Sequence, residues 1–148
     1  MIKYIISACL AGVNCKYDGG NNLKDEIAEL IRNGEAVLIC PEQMGGMPTP
    51  RPAAEINGDK VINICGEDVT HNFEKGAQEA LRIAKLYNAT HAVLKERSPS
   101  CGVNFIYDGS HQGKKISGKG FTTRLLEKHG INIVSEEEFI KLLNKEKL

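Results

Sequence analysis

Short apolar runs too brief for helices alternate along this chain with longer segments of helical periodicity, and that alternation limits the fold more than any other feature. Lys3 to Ala8 and Ala36 to Ile39 read as buried strands and Ala92 to Leu94 and Ile131 to Val134 as two further short strands, because these apolar runs are too short for helices. Between them, Leu23, Ile27, Leu30 and Ile31 fall at helical spacing before an Asn33-Gly34 stop. Thr70 is expected to cap a long helix through Leu86 whose core face includes Ala77, Ala80, Leu81 and Ala84. A further helix is expected near Thr122 to His129, and Ser135-Glu136-Glu137-Glu138 is a capping box opening the last.

The economical architecture is α/β: three layers, a mainly parallel Rossmann-like sheet with helices on both faces and right-handed crossovers. With 148 residues and no repeat, low-complexity tract or linker, residues 1–148 are expected to form one domain.

Three segments interrupt the alternation. Pro41 to Pro52 is expected to be a restrained loop, because its prolines lack amide donors. Ile56 to Cys65, broken at Asn57-Gly58-Asp59, reads as a hairpin. Asp108 to Gly120, glycine-rich and polar, reads as a mobile flap able to exclude water.

Charge excludes some functions. The 19 basic and 19 acidic side chains cancel, so no global field draws the chain to nucleic acid or an anionic membrane. The N-terminus lacks a signal-peptide pattern and no stretch is apolar enough to span a bilayer, so a cytoplasmic location is expected.

Five cysteines, an odd number in a chain of ordinary core-forming composition, do not read as a disulfide framework. Cys9 and Cys40 directly follow strands one and two, and Cys101 lies just past strand three. A parallel sheet therefore brings these thiols to its carboxyl edge, where ligands of such sheets bind. Soft thiolates select iron–sulfur clusters, zinc or copper(I), and the spacings match no common zinc ribbon or ferredoxin. Three cysteines on a four-iron cluster leave one iron without a protein ligand. A single cysteine beside a strand is as often a core residue, but three at one edge are harder to explain that way. Cys65 in the hairpin and Cys15 in a loop are set aside as non-ligands, Cys15 with less reason.

Six ordered motifs, Ser7-Ala8-Cys9-Leu10-Ala11-Gly12, Lys16-Tyr17-Asp18-Gly19, Cys40-Pro41-Glu42, Pro48-Thr49-Pro50-Arg51, Asp68-Val69-Thr70 and Lys95 to Gly102, cover nearly the whole chain. Together they resemble the family, known as domain of unknown function 523, that includes the thiouracil desulfidases. The resemblance implies a [4Fe-4S] cluster on Cys9, Cys40 and Cys101, with one iron not bonded to protein. It further implies hydrolytic, non-redox removal of sulfur from a small thiolated molecule such as 2-thiouracil, giving uracil and hydrogen sulfide. Glu42 and Ser98 match the family's catalytic glutamate and serine, with Ser100 the fallback for the serine. Cys15 stands where the motif often carries an apolar residue. Arg51 and Arg97 are read either as hydrogen-bond donors to substrate or cluster sulfides, or as surface anchors. The competing reading is a non-catalytic metal-binding protein, with structural zinc or a redox-sensing cluster.

Overall fold

The computed structural model describes residues 1–146. Four strands, β1 (Tyr4–Ser7), β2 (Ala36–Ile39), β5 (His91–Leu94) and β8 (Asn132–Ser135), form one parallel sheet in the order β2-β1-β5-β8. Tyr4 pairs with both Ala36 and His91, and His91 with Asn132, which fixes the register across the sheet. The chain leaves β1 toward β2 and returns on the other side of β1 as β5. The carboxyl ends of β1 and β5 thus flank a topological switch point.

Alternation along the strands feeds two cores. Ile5, Ile39, Ala92 and Leu94 pack on one face with Ala80 and Ala84 of α3 (Thr70–Leu86) and Leu126 of α4 (Phe121–Lys128). Ile6, Ala36 and Val93 pack on the other with Ile27 of α1 (Asp25–Arg32) and Phe139 of α5 (Glu136–Glu146). The expected three-layer α/β architecture is therefore present. The second strand is less buried than its composition suggests: β2 is an edge strand, and Leu38 is exposed. Leu23, expected on the core face of the first helix, is also exposed and lies before α1 begins.

Three local expectations are corrected. The Pro41 to Pro52 segment opens with a helical turn, α2 (Pro41–Met44), because proline at the first helical position loses no needed hydrogen bond. Thr70 is the first residue of α3 and not its cap. Asp68 Oδ1 instead accepts from the Thr70 amide (2.9 Å), while Thr70 Oγ1 accepts from the Val61 amide (2.8 Å), tying the helix start to β4 (Lys60–Asn63). The flap holds a strand: β6 (Phe105–Tyr107) pairs antiparallel with β7 (Lys115–Ser117). Its tip is tethered by Glu55 Oε1 of β3 (Ala54–Asn57), which accepts from the amides of Gly109 (3.0 Å) and His111 (3.1 Å). The hairpin of β3 and β4 and the capping box of α5 occur as expected: Ser135 Oγ accepts from the Glu138 amide at 3.1 Å, and Glu138 Oε1 from the Ser135 amide at 3.3 Å. Among the described residues no helix is long and apolar enough to cross a membrane.

The turn α2 lies directly on α3 through two glycines. A Cβ at Gly76 would enter the Pro41 carbonyl oxygen, and one at Gly45 the Asn72 carbonyl oxygen. Both obstacles are backbone, so neither can swing aside. Gly76→Ala is expected to push α2 outward and cost roughly 1–3 kcal/mol. Urea denaturation of the metal-free protein checks this, and unchanged stability would contradict the close approach.

Candidate metal centre

At the carboxyl edge of the sheet a cavity of about 510 Å³ is lined by Cys9, Cys40 and Cys101, together with Cys15, Glu42, Arg51, Asn22, Lys95 and Ser98. Each thiol is held by the turn that ends its strand. Cys9 lies in a 3-10 turn (Ala8–Ala11) closed by Gly12 at φ 96, a left-handed conformation suited to glycine. Cys40 caps α2, its carbonyl accepting from the Met44 amide at 2.9 Å. Cys101 follows a serine turn: Ser98 Oγ accepts from the amides of Ser100 (3.1 Å) and Cys101 (3.0 Å), and Thr123 Oγ1 donates to the Cys101 carbonyl at 3.0 Å.

All five cysteines are free thiols. Burial pushes the Cys101 thiol up to about 12, and burial also raises Cys9. Cys40 and Cys15 are neighbours, with Cys40 Sγ 3.8 Å from the Cys15 carbonyl oxygen. Hydrogen bonding between these two thiols holds Cys40 below the ordinary range and Cys15 above it. Cys15 is thus part of the cavity wall, where sequence reasoning had set it aside, whereas Cys65 is exposed and does not line the cavity.

The donor set is soft and spread around a volume. Among the described residues no three His, Cys, Asp or Glu side chains gather as a single metal ion requires. Thiols from three separate turns, facing one cavity, fit a polynuclear cluster better than one tetrahedral zinc.

Arg51 is the strut of this wall. Buried, it donates from Nε to Glu42 Oε1 (3.2 Å), from Nη1 to the Pro48 carbonyl (3.2 Å) and Thr49 Oγ1 (2.9 Å), and from Nη2 to the Cys15 carbonyl (2.8 Å). Its donors are turned to the protein, so it ties together the loops that carry Cys15, Cys40 and Glu42. Burial raises the Glu42 carboxyl above the usual carboxylate range, and the Arg51 charge opposes that rise. Desolvation is therefore the cause of the rise.

Of the two candidate serines, Ser98 lines the cavity and Ser100 does not. Ser100 is buried and shares a 2.7 Å hydrogen bond with Thr122 Oγ1. Ser98 accepts two amides through its oxygen, which leaves its own O–H to donate. Arg97 lines the cavity with a left-handed backbone (φ 70), and its guanidinium reaches Glu137 at 3.4 Å. Asp18-Gly19-Gly20 is a plain turn, with the Gly20 amide donating to Asp18 Oδ1 at 2.9 Å. None of the four histidines lines the cavity.

Sequence reasoning missed Glu96, the organiser of the third loop. Its buried carboxylate accepts from the amides of Arg97 (3.2 Å), Val103 (2.8 Å), Asn104 (2.9 Å) and Phe105 (3.0 Å) and from Asn104 Nδ2 (2.9 Å). Glu136 Oε1 in turn accepts from the Glu96 amide at 2.8 Å and Glu136 Oε2 pairs with Lys95 Nζ at 3.2 Å. Burial alone would raise the Glu96 carboxyl, but the amides of Phe105, Asn104 and Val103 hold it below the ordinary range. Glu96→Ala leaves those amides without their acceptor and is expected to cost on the order of 3–5 kcal/mol. For the milder Glu96→Gln the pH dependence gives the sign. The wild-type carboxylate contributes fully above the ordinary glutamate pKa of about 4.3, and its contribution is lost as pH falls through the lower folded value. The stability gap between wild type and Glu96→Gln should narrow on acidification, as denaturant titrations across that range would show.

A parallel α/β sheet with a soft, thiol-lined cavity at its switch point defines the class of α/β metalloproteins with cysteine-based centres. The chain belongs to the 2-thiouracil desulfurase family, whose model matches residues 4–138. It is 42% identical over 149 residues to the uncharacterized protein YbbK of Bacillus subtilis (strain 168), a match covering 94% of this chain and 99% of that relative. Among solved structures it is similar to the [4Fe-4S]-dependent thiouracil desulfidase TudS, with a TM-score of 0.91 and 41% sequence identity over 99% of each chain.

Proposed function

We propose that this chain is a [4Fe-4S]-dependent desulfidase that removes sulfur from a small thiolated molecule such as 2-thiouracil, working as one catalytic unit in the reducing cytoplasm. The observation that carries the reading is the meeting of Cys9, Cys40 and Cys101 in one cavity with Glu42 and Ser98 beside them. Membership of the 2-thiouracil desulfurase family supports it. The cluster's ligands in this proposal are Cys9, Cys40 and Cys101, and none of its partners is a nucleic acid or a membrane. When bound, such a cluster leaves one iron free of protein to act as a Lewis acid toward the substrate sulfur.

The protein's own groups then do the proton work. Glu42 Oε1 is fixed by Arg51, while Oε2 makes no hydrogen bond among the described residues and 19% of the side chain stays accessible. Oε2 takes a proton from water as it adds to the carbon that bears sulfur. Ser98, its oxygen occupied by two amides, donates its O–H to the water or to the ring and sets its orientation. Water supplies the carbonyl oxygen, sulfur leaves as hydrogen sulfide, and no net electron transfer occurs. The Cys15 wall and the tethered hairpin β6–β7 enclose the site.

Anaerobic incubation of the reconstituted protein with 2-thiouracil tests this, with uracil and sulfide expected in equal amounts. A fully loaded protein that releases neither would refute the assignment of this substrate class. Cys65→Ala should retain full iron content and turnover, because Cys65 stands outside the cavity.

A further inference from the structure

Asn22 holds one of the three proposed ligands by two hydrogen bonds. Its backbone amide donates to the Cys9 carbonyl at 2.9 Å, and its side-chain Nδ2 donates to Cys9 Sγ at 3.5 Å. Among the described residues no other side-chain amide hydrogen-bonds to any of the three thiols. Asn22 also lines the cavity, in a segment pinned at its other side by the Lys24 amide on the Leu10 carbonyl at 2.9 Å. The backbone bonds already place this segment against the Cys9 turn, so the side-chain amide is not needed to keep the loop in position. Its contact with sulfur has a different consequence. An N–H pointed at a thiolate draws electron density from it, and the metal it ligates becomes poorer in electrons.

We propose that Asn22 is a positioning residue for the cluster: its side-chain N–H···S hydrogen bond fixes Cys9 as a ligand and withdraws charge from it, making the cluster a stronger acceptor for the substrate sulfur. The inference rests on the cluster reading above. Because the desulfuration exchanges no net electrons, the reduction potential is here a gauge of electron density at the cluster and not a step of the reaction. Asn22→Leu keeps the side chain's approximate volume and the backbone bonds but removes the donor. Asn22→Asp replaces the donor with a negative acceptor. Lys95, whose charge also acts on Cys9, is unchanged in both and provides a constant background.

The test is the midpoint potential of anaerobically reconstituted protein, followed by reductive titration with electron paramagnetic resonance, together with the rate of iron loss to a chelator. Both variants should shift the midpoint to more negative potential, Asp further than Leu, and both should lose iron faster, while thermal unfolding of the metal-free chains stays at the wild-type value. Potentials of both variants equal to wild type at full iron content would overturn the role of Asn22 and leave the cluster reading intact. A wild-type protein that takes up no cluster would overturn that reading and this inference with it. If Leu does not retain iron, the Asp variant carries the measurement, and a loss confined to cluster retention with a lowered melting temperature of the metal-free chain would reduce Asn22 to a fold residue.

Discussion

Cys9→Ala and Cys101→Ala, each alone, are expected to hold little or no [4Fe-4S] cluster and to release sulfide from 2-thiouracil only at the protein-free background rate. The proposed ligand set has three thiolates, each from a different turn, so the loss of Cys9 or Cys101 leaves its own turn without a thiol. Cys40 requires a different design, because the Cys15 thiol stands beside it. There the decisive protein is Cys15→Ala combined with Cys40→Ala, compared with each single change. Iron and acid-labile sulfide analysis after anaerobic reconstitution reads all of these variants. Circular dichroism of the metal-free chains controls for folding, since Cys101 is buried and packs in the core. A full cluster in Cys9→Ala or Cys101→Ala would remove that residue from the ligand set.

Glu42→Gln is expected to retain the cluster and to lower kcat about 10²–10⁴-fold, the range that a positioned general base contributes. The substitution is nearly isosteric and keeps an oxygen toward Arg51 Nε, so the strut that ties the Pro48 carbonyl, Thr49 and the Cys15 carbonyl stays in place. What is lost is the ability to take a proton from water. Turnover and iron content measured on the same preparation separate the two roles: reduced turnover at full iron places Glu42 in the chemistry. Iron loss in parallel with activity would make it a structural partner of Arg51 instead. Ser98→Ala removes the O–H proposed to donate to the substrate and also the oxygen that accepts the Ser100 and Cys101 amides, so turnover should fall and iron content measured beside it separates the two losses.

Much of this was legible in the chain, for physical reasons that differ between parts. The strands β1, β2, β5 and β8 announce themselves because short apolar runs, bounded by turns, have few other uses. The meeting of Cys9, Cys40 and Cys101 follows from parallel topology, which sends equivalent strand ends to one edge. What escaped is what only tertiary contact defines. Glu96 looks like any charged loop residue until the chain curls back and presents the amides of Val103, Asn104 and Phe105 to it. The seat of α2 on α3 depends on missing Cβ atoms at Gly45 and Gly76, and a glycine inside a helical pattern carries no label for the backbone it faces. Prolines without amide donors make Pro41 to Pro52 read as a loop, yet at the first helical position Pro41 needs no donor and its fixed φ favours the turn. Arg51 faces inward, neither anchoring the surface nor offering its donors to substrate, because the Cys15 carbonyl, Glu42 and, from its own loop, the Pro48 carbonyl and Thr49 converge on it.

The central claim is that the thiol-lined cavity holds an iron–sulfur cluster, and the measurement that reaches it most directly is iron and acid-labile sulfide content of the wild-type chain reconstituted and purified without oxygen, read beside its visible absorption. About four irons and four sulfides per chain, with the broad charge-transfer absorption of a cubane cluster, is the predicted result. Zinc alone at one equivalent, or no metal at all, would contradict the account.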